Sequence, residues 1–284
     1  MIESIYFVIE KLFPFSWVEF NFMKNAFIAV LLISPLFGIV STMIVNNRMS
    51  FFSDALGHSA LTGIALGVML GINNYIISMM IFAIIFAIGI STIINSEISS
   101  SDTIIGVFSS AGISLGIVIL SSKGGFSRYS NYLIGDILSI TKQEILFLFI
   151  ILITVILIWF VSFNRLIMSS LNKELALSKG VNVKLYKNIF VILIALIVTI
   201  SLKWVGILVI NSLLVLPAAS AKNIAKNIRS YHIISVLFSM TSGISGLIIS
   251  YYIGTSAGAS IVIISSIIFF MTFLVAICKN SKYN

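Results

Sequence analysis

Cysteine occurs once and histidine twice in 284 residues, and only 9% of the chain is charged. Each scarcity removes a class of protein. A single cysteine, Cys278, permits no internal disulfide and no cysteine-rich metal cage. Its place at the end of the last apolar run reads as packing sooner than as chemistry. Two histidines, His58 and His232, do not make a His-Glu-x-x-His zinc site, which needs three protein ligands. That argues against an intramembrane metalloprotease. No Gly-x-x-x-x-Gly-Lys-Ser/Thr loop occurs, so the chain does not bind ATP in the P-loop manner. A soluble domain carries about 25% charged residues, far more than this one.

What the chain has instead is apolar sequence: 59% hydrophobic residues and a mean hydropathy of +1.16. That composition predicts an all-α, polytopic transmembrane bundle with lipid around it. The net charge of +8 then reports cytoplasmic loops and calls for no nucleic-acid partner.

Met1 to Phe20 holds Glu3, Glu10 and Glu19 against Lys11 alone, whereas a signal peptide needs a basic start. Ile2, Ile5, Ile9, Leu12 and Phe13 share one helical face, with Glu3, Ser4, Glu10 and Lys11 on another. The pattern predicts a short amphipathic helix in the membrane interface, ended at Pro14, or else a leader of no importance. The organisation expected is an interfacial segment over 1–24, a transmembrane domain over 25–278 and a cytoplasmic tail over 279–284.

A spanning helix needs about 20 mostly apolar residues. Nine stretches qualify, near 25–45, 55–71, 75–95, 103–121, 144–163, 186–202, 204–220, 232–252 and 259–278, with eight or ten as the bounds. An odd count puts the termini on opposite sides. With the C-terminus cytoplasmic, eleven of the 17 basic residues fall inside and six outside. The orientation expected is therefore N-terminus out and C-terminus in. Glycine pairs within spans, Gly63 and Gly67, Gly112 and Gly116, Gly243 and Gly246, read as close helix packing.

Polar residues interrupt the apolar runs at five places. In Arg48-Met49-Ser50-Phe51-Phe52-Ser53-Asp54-Ala55-Leu56-Gly57-His58, the acid and the histidine are four apart and share a helix face. Carboxylate oxygen with imidazole nitrogen suits divalent manganese, iron or zinc. Asp54 as a helix N-cap is the simpler alternative, although it leaves His58 in need of a partner. Between Asn164 and Lys187, Asn172 is a candidate N-cap and Gly180 a candidate C-cap around Glu174 and Ala176. This short helix is either a solvated loop or a docking element for a partner protein. In the seventh span, Asn211 and Ser212 either line a pathway or pack, and Pro217 frees a carbonyl and kinks the helix. His232 at a helix start reads as an interfacial side chain, and Glu97 and Asp102 as solvated or capping residues in a short cytoplasmic turn.

These residues carry a family resemblance. Arg48-Met49 … Asp54-Ala55-Leu56-Gly57-His58 resembles the Arg-Met…Asp-Ala-Leu-Ser-His signature of the metal-ion permease family of ABC importers. Tyr132 to Leu138, Glu174-Leu175-Ala176…Lys179-Gly180-Val181 and Val205-Gly206…Leu216-Pro217-Ala218-Ala219 are similar to the same family, in the same order. The match covers residues 25 to about 275. It departs at Gly57, where serine is usual, at Thr62, where proline is common, and after Tyr251-Tyr252, which lacks an acid and a proline.

The resemblance implies a type II importer fold. It also implies a homodimer in the cytoplasmic membrane of a bacterium, served by separate ABC ATPase subunits and an extracytoplasmic metal-binding protein. It gives residues 170–181, with Asn172, Glu174, Ala176 and Gly180, the role of ATPase coupling. It makes Asp54 and His58 the contacts of a transported zinc, manganese or iron ion, with no permanently bound cofactor. The competing reading is an ion-coupled secondary metal transporter, which places several ionisable residues near the midplane where this chain has one pair.

Overall fold

A computed structural model describes residues 2–72, 74–96, 98–122 and 135–280. Eleven α-helices and two short 3-10 turns make up the described residues, with no strand among them. The helices are α1 (Ile2–Leu12), α2 (Asn21–Asn46), α3 (Phe52–Met69), α4 (Tyr75–Ile94), α5 (Ser101–Ser122), α6 (Lys142–Leu171), α7 (Lys173–Ser178), α8 (Val183–Val205), α9 (Ile207–Ile224), α10 (Ile228–Ile253) and α11 (Ala257–Asn280). The 3-10 turns are Ser16–Glu19 and Ile137–Ser139.

Each of the nine expected spans is one of these helices, and eight of them are long and apolar enough to cross a membrane. The exception is α3. Ser53, Asp54, His58, Ser59 and Thr62, together with three glycines, lower its hydropathy over only 18 residues. Helix α2 begins at Asn21, four residues before the expected 25, so Lys24 belongs to it.

Two compact units share the chain, and α2, α6 and α9 each continue from one into the other. The first unit comprises residues 1–42, 136–156 and 212–284. There α1 is pinned to α2: Lys24 is 5% exposed, and its Nζ donates to Glu10 at 2.6 Å. The Tyr6 hydroxyl donates to Asn25. Tyr6 and Ile9 are buried while Phe7, Val8 and Leu12 are exposed, so Leu12 leaves the apolar face that the sequence assigned it. Trp17 is fully buried against Phe13 and Phe27.

Helices α2 and α10 meet along hydroxyls. Ser239 Oγ donates to the Ser34 carbonyl at 2.7 Å, and Ser235 Oγ donates to that of Gly38 at 2.8 Å. A Cβ on Gly38 would stand 2.7 Å from the Val236 backbone, so the seam closes only with glycine there. Gly243 and Gly246 take the packing role expected of them, against Ser34 and Ile261.

The second unit comprises residues 43–135 and 157–211, with α3 at its centre. Thirteen of the eighteen α3 residues are buried, against α4, α5 and α8. Gly63 lets α4 approach, Gly116 lets α5 approach, and Ser78 Oγ donates to the Gly63 carbonyl at 2.5 Å. Elsewhere apolar side chains point outward, Phe160 at 85% exposed and Met271 at 63% among them. A bundle that displays such faces is built for lipid.

Candidate metal-handling site

The α3 helix opens without a side-chain cap. Its N-cap position is Phe51, in helical conformation, and Asp54 lies in the first turn. Capping therefore does not explain Asp54. Its carboxylate does sit at the positive end of the helix dipole, which favours its charge. Four residues on, the His58 ring reaches back so that Nε2 lies 3.4 Å from Asp54 Oδ1. In a helix that is otherwise packed, these two side chains stay open, His58 at 33% and Asp54 at 37%.

A third residue joins them from α9. Asn211 Nδ2 donates to Asp54 Oδ1 at 2.5 Å. The approach is made possible by Gly57, whose missing Cβ would lie 3.0 Å from Ile207 Cγ1 in the first turn of α9. Glycine where the related family has serine is thus a packing device beside the site. Further back, Gly135 (φ +65°) lies against Gly206 (φ +78°), and a Cβ on Gly135 would come within 2.1 Å of the Gly206 nitrogen. That backbone contact fixes where α9 starts. Three polar atoms near the cluster, Ser53 Oγ, His58 Nδ1 and Asn211 Oδ1, are buried without a hydrogen-bond partner.

Chemically the cluster offers one carboxylate, one imidazole and one amide: oxygen and nitrogen donors without sulfur. Three protein donors of this kind, partly open, suit a first-row divalent cation held loosely.

The other expected site residues lie apart from it. Asn172 caps α7, its Oδ1 accepting from the Leu175 N–H at 2.9 Å. Gly180 (φ +73°) closes that helix, with the Val181 N–H donating to the Ala176 carbonyl at 2.9 Å. Asn172 is the N-cap the sequence expects, whereas the C-cap is Lys179 and Gly180 follows it in the left-handed conformation that ends the helix. Ala176 is fully buried and seats the helix, whereas Glu174, Leu175 and Leu177 face outward. Pro217 is buried within α9 and belongs to the other unit.

His232 is half-buried near the start of α10, with Nδ1 2.7 Å from Thr42 Oγ1. Asp102 is exposed in the first turn of α5, where Ser100 makes the capping bond to the Thr103 N–H. Asp136 Oδ1 accepts from the Leu138 N–H and caps the 3-10 turn. Tyr132, Leu133 and Ile134 of the same motif, and Glu97, lie outside the described residues.

The chain matches the ABC 3 transport family over residues 19–276. It belongs to that family. Among its relatives is the high-affinity zinc uptake system membrane protein ZnuB of Haemophilus influenzae, 33% identical over 89% of this chain and 97% of that one. Another is the manganese import system permease protein ScaB of Streptococcus gordonii, 31% identical over 91% of this chain and 92% of its own. Among solved structures, PsaBC from Streptococcus pneumoniae in complex with Fab superposes with a TM-score of 0.78 at 29% identity, covering 96% of this chain and 95% of that one. This ABC 3 permease is thus a multi-pass membrane protein and the transport subunit of an ATP-driven system. ATP hydrolysis resides on a separate chain, in keeping with the absent P-loop.

Proposed function

We propose that this permease carries a divalent metal cation, zinc, manganese or iron, inward across the cytoplasmic membrane of a bacterium, with two copies forming one pathway. The observation that carries the proposal is the pairing of Asp54 and His58 one turn apart on α3, with Asn211 held on the same carboxylate oxygen. A cation loses hydration on entering an apolar bundle, and a carboxylate offsets that loss by neutralising charge. An imidazole lone pair supplies the second bond. The site must be weak, because an ion enclosed by a full cage does not leave. The relatives named for zinc uptake and manganese import support this cargo.

The remaining parts follow the family plan. An extracytoplasmic metal-binding protein delivers the ion, and ABC ATPase subunits dock on α7 through Glu174, Leu175 and Leu177, with Asn172, Ala176 and Gly180 setting the helix in place. ATP then drives the dimer to its other state. Asn211 borders the pathway. The N-terminus is outside and the C-terminal tail cytoplasmic, with α1 in the membrane interface beside lipid.

The test is radiolabelled metal uptake by the permease and its ATPase in vesicles. Asp54→Asn removes charge at nearly constant shape, and His58→Ala removes a ligand. Both should abolish uptake while the complex still assembles, since neither deletes much buried volume. Normal uptake by Asp54→Asn would sink the proposal.

A further inference from the structure

Asn211 gives its amide nitrogen to Asp54 and keeps its own Oδ1 buried without a hydrogen-bond partner. On the other neighbour of Asp54, His58, the Nδ1 atom is also buried and unpartnered. Buried acceptors without donors are costly and need a reason. The Asn211 amide therefore stands beside the Asp54 carboxylate by its NH2 end, with its own acceptor unused.

The amide has a property the other two groups lack. Its NH2 and C=O ends are nearly equal in shape, and the terminal torsion that exchanges them is soft and two-fold. Turning it over puts Oδ1 in the place Nδ2 now occupies, beside Asp54 Oδ1. Two oxygens side by side would repel each other in an empty site, and a bound cation reverses that sign.

We infer that Asn211 is the third ligand of the transported cation and reaches it by turning its amide. With the site empty, the NH2 end holds the carboxylate. With a cation present, the carbonyl end joins Asp54 and His58. The inference rests on the metal-handling reading of that pair and adds a consequence for selectivity. Carboxylate, carbonyl and water ligands suit manganese, while imidazole suits zinc and iron. An added carbonyl oxygen therefore favours manganese more than zinc, and Asn211 is the residue that sets the ratio. A role confined to positioning Asp54 would affect both metals alike.

The experiment measures manganese and zinc uptake side by side for the permease assembled with its ATPase, as wild type, Asp54→Asn, Asn211→Leu and Asn211→Ser. Asn211→Leu keeps the volume and removes both amide atoms. Asn211→Ser carries the test if the leucine variant does not assemble. Binding of Mn²⁺ to the detergent-purified chain, read by electron paramagnetic resonance with Zn²⁺ as competitor, gives the same ratio without the ATPase. Both Asn211 variants should lose manganese about tenfold or more, with a several-fold smaller loss of zinc, and Asp54→Asn should lose both. Equal loss of the two metals, or no loss, in the Asn211 variants overturns the inference and leaves the pair intact. Undiminished uptake by Asp54→Asn overturns the reading beneath it.

Discussion

At Asp54 two neighbours share one carboxylate oxygen, the Asn211 amide at 2.5 Å and the His58 ring at 3.4 Å. The distances make the site sensitive to pH in a definite sense. A neutral His58 offers a lone pair to the cation. A protonated His58 offers none, and puts a positive charge beside Asp54 where the metal's charge would go. Metal uptake should therefore be full where the imidazole is neutral and should fall as pH drops through the range in which it gains its proton. The measurement is initial uptake from pH 8 to pH 5.5, with ATP hydrolysis followed in the same vesicles. Uptake that stays flat while hydrolysis also holds would remove His58 from the ligand set. The pair itself was legible in the sequence, because spacing of four on a helix is a local rule. The partnership with Asn211 was not, since 157 positions separate it from Asp54 and only the packing of α9 on Gly57 brings them together.

Helix α7 shows how a short element divides its labour. Asn172 and Gly180 close its two ends, Ala176 anchors it, and Glu174, Leu175 and Leu177 remain outside. The caps could be read from sequence because asparagine and glycine at helix ends have fixed backbone reasons. Which face is turned inward could not, since six residues give too little periodicity to separate Leu175 or Leu177 from Ala176 as the anchor. The division separates folding from docking. Ala176→Trp puts a large ring where no space exists, and should lower the melting temperature of the isolated chain in detergent. Glu174→Arg and Leu177→Asp alter only exposed groups, should leave that melting temperature unchanged within about 1 kcal/mol of stability, and should reduce ATPase co-purification and ATP turnover. If the ATPase binds and turns over normally with both exposed changes, α7 is a loop helix and the coupling surface lies elsewhere.

Across the whole molecule, the positions of the long helices were readable and their packing was not. Bilayer thickness sets the length of a span, so each expected span returned as a helix, although α6 runs past its expected end at 163 to Leu171. Inside a membrane, however, core-facing and lipid-facing surfaces are both apolar, so hydropathy does not say which helices are interior. The most apolar stretches of α2 and α8 are 72% buried and that of α11 only 17%, although all three are strongly hydrophobic. What sequence does reveal is how little charge the interior holds, and this bears on the energy source. A transporter driven by an ion gradient needs a second titratable or cation-binding station coupled to the first. In this chain no group of three or more His, Cys, Asp or Glu side chains gathers anywhere among the described residues. Membership of the ABC 3 transport family assigns the work to ATP hydrolysed on another chain, and the two copies proposed to line one pathway would form an isologous two-fold pair. Purified permease in vesicles should consequently move no metal under a proton or sodium gradient. It should begin to do so when its ATPase and ATP are enclosed on the α7 side, and native mass measurement should find two permease copies per working complex. Gradient-driven uptake by the permease alone would assign the energy coupling to this chain and overturn the ATP-driven scheme.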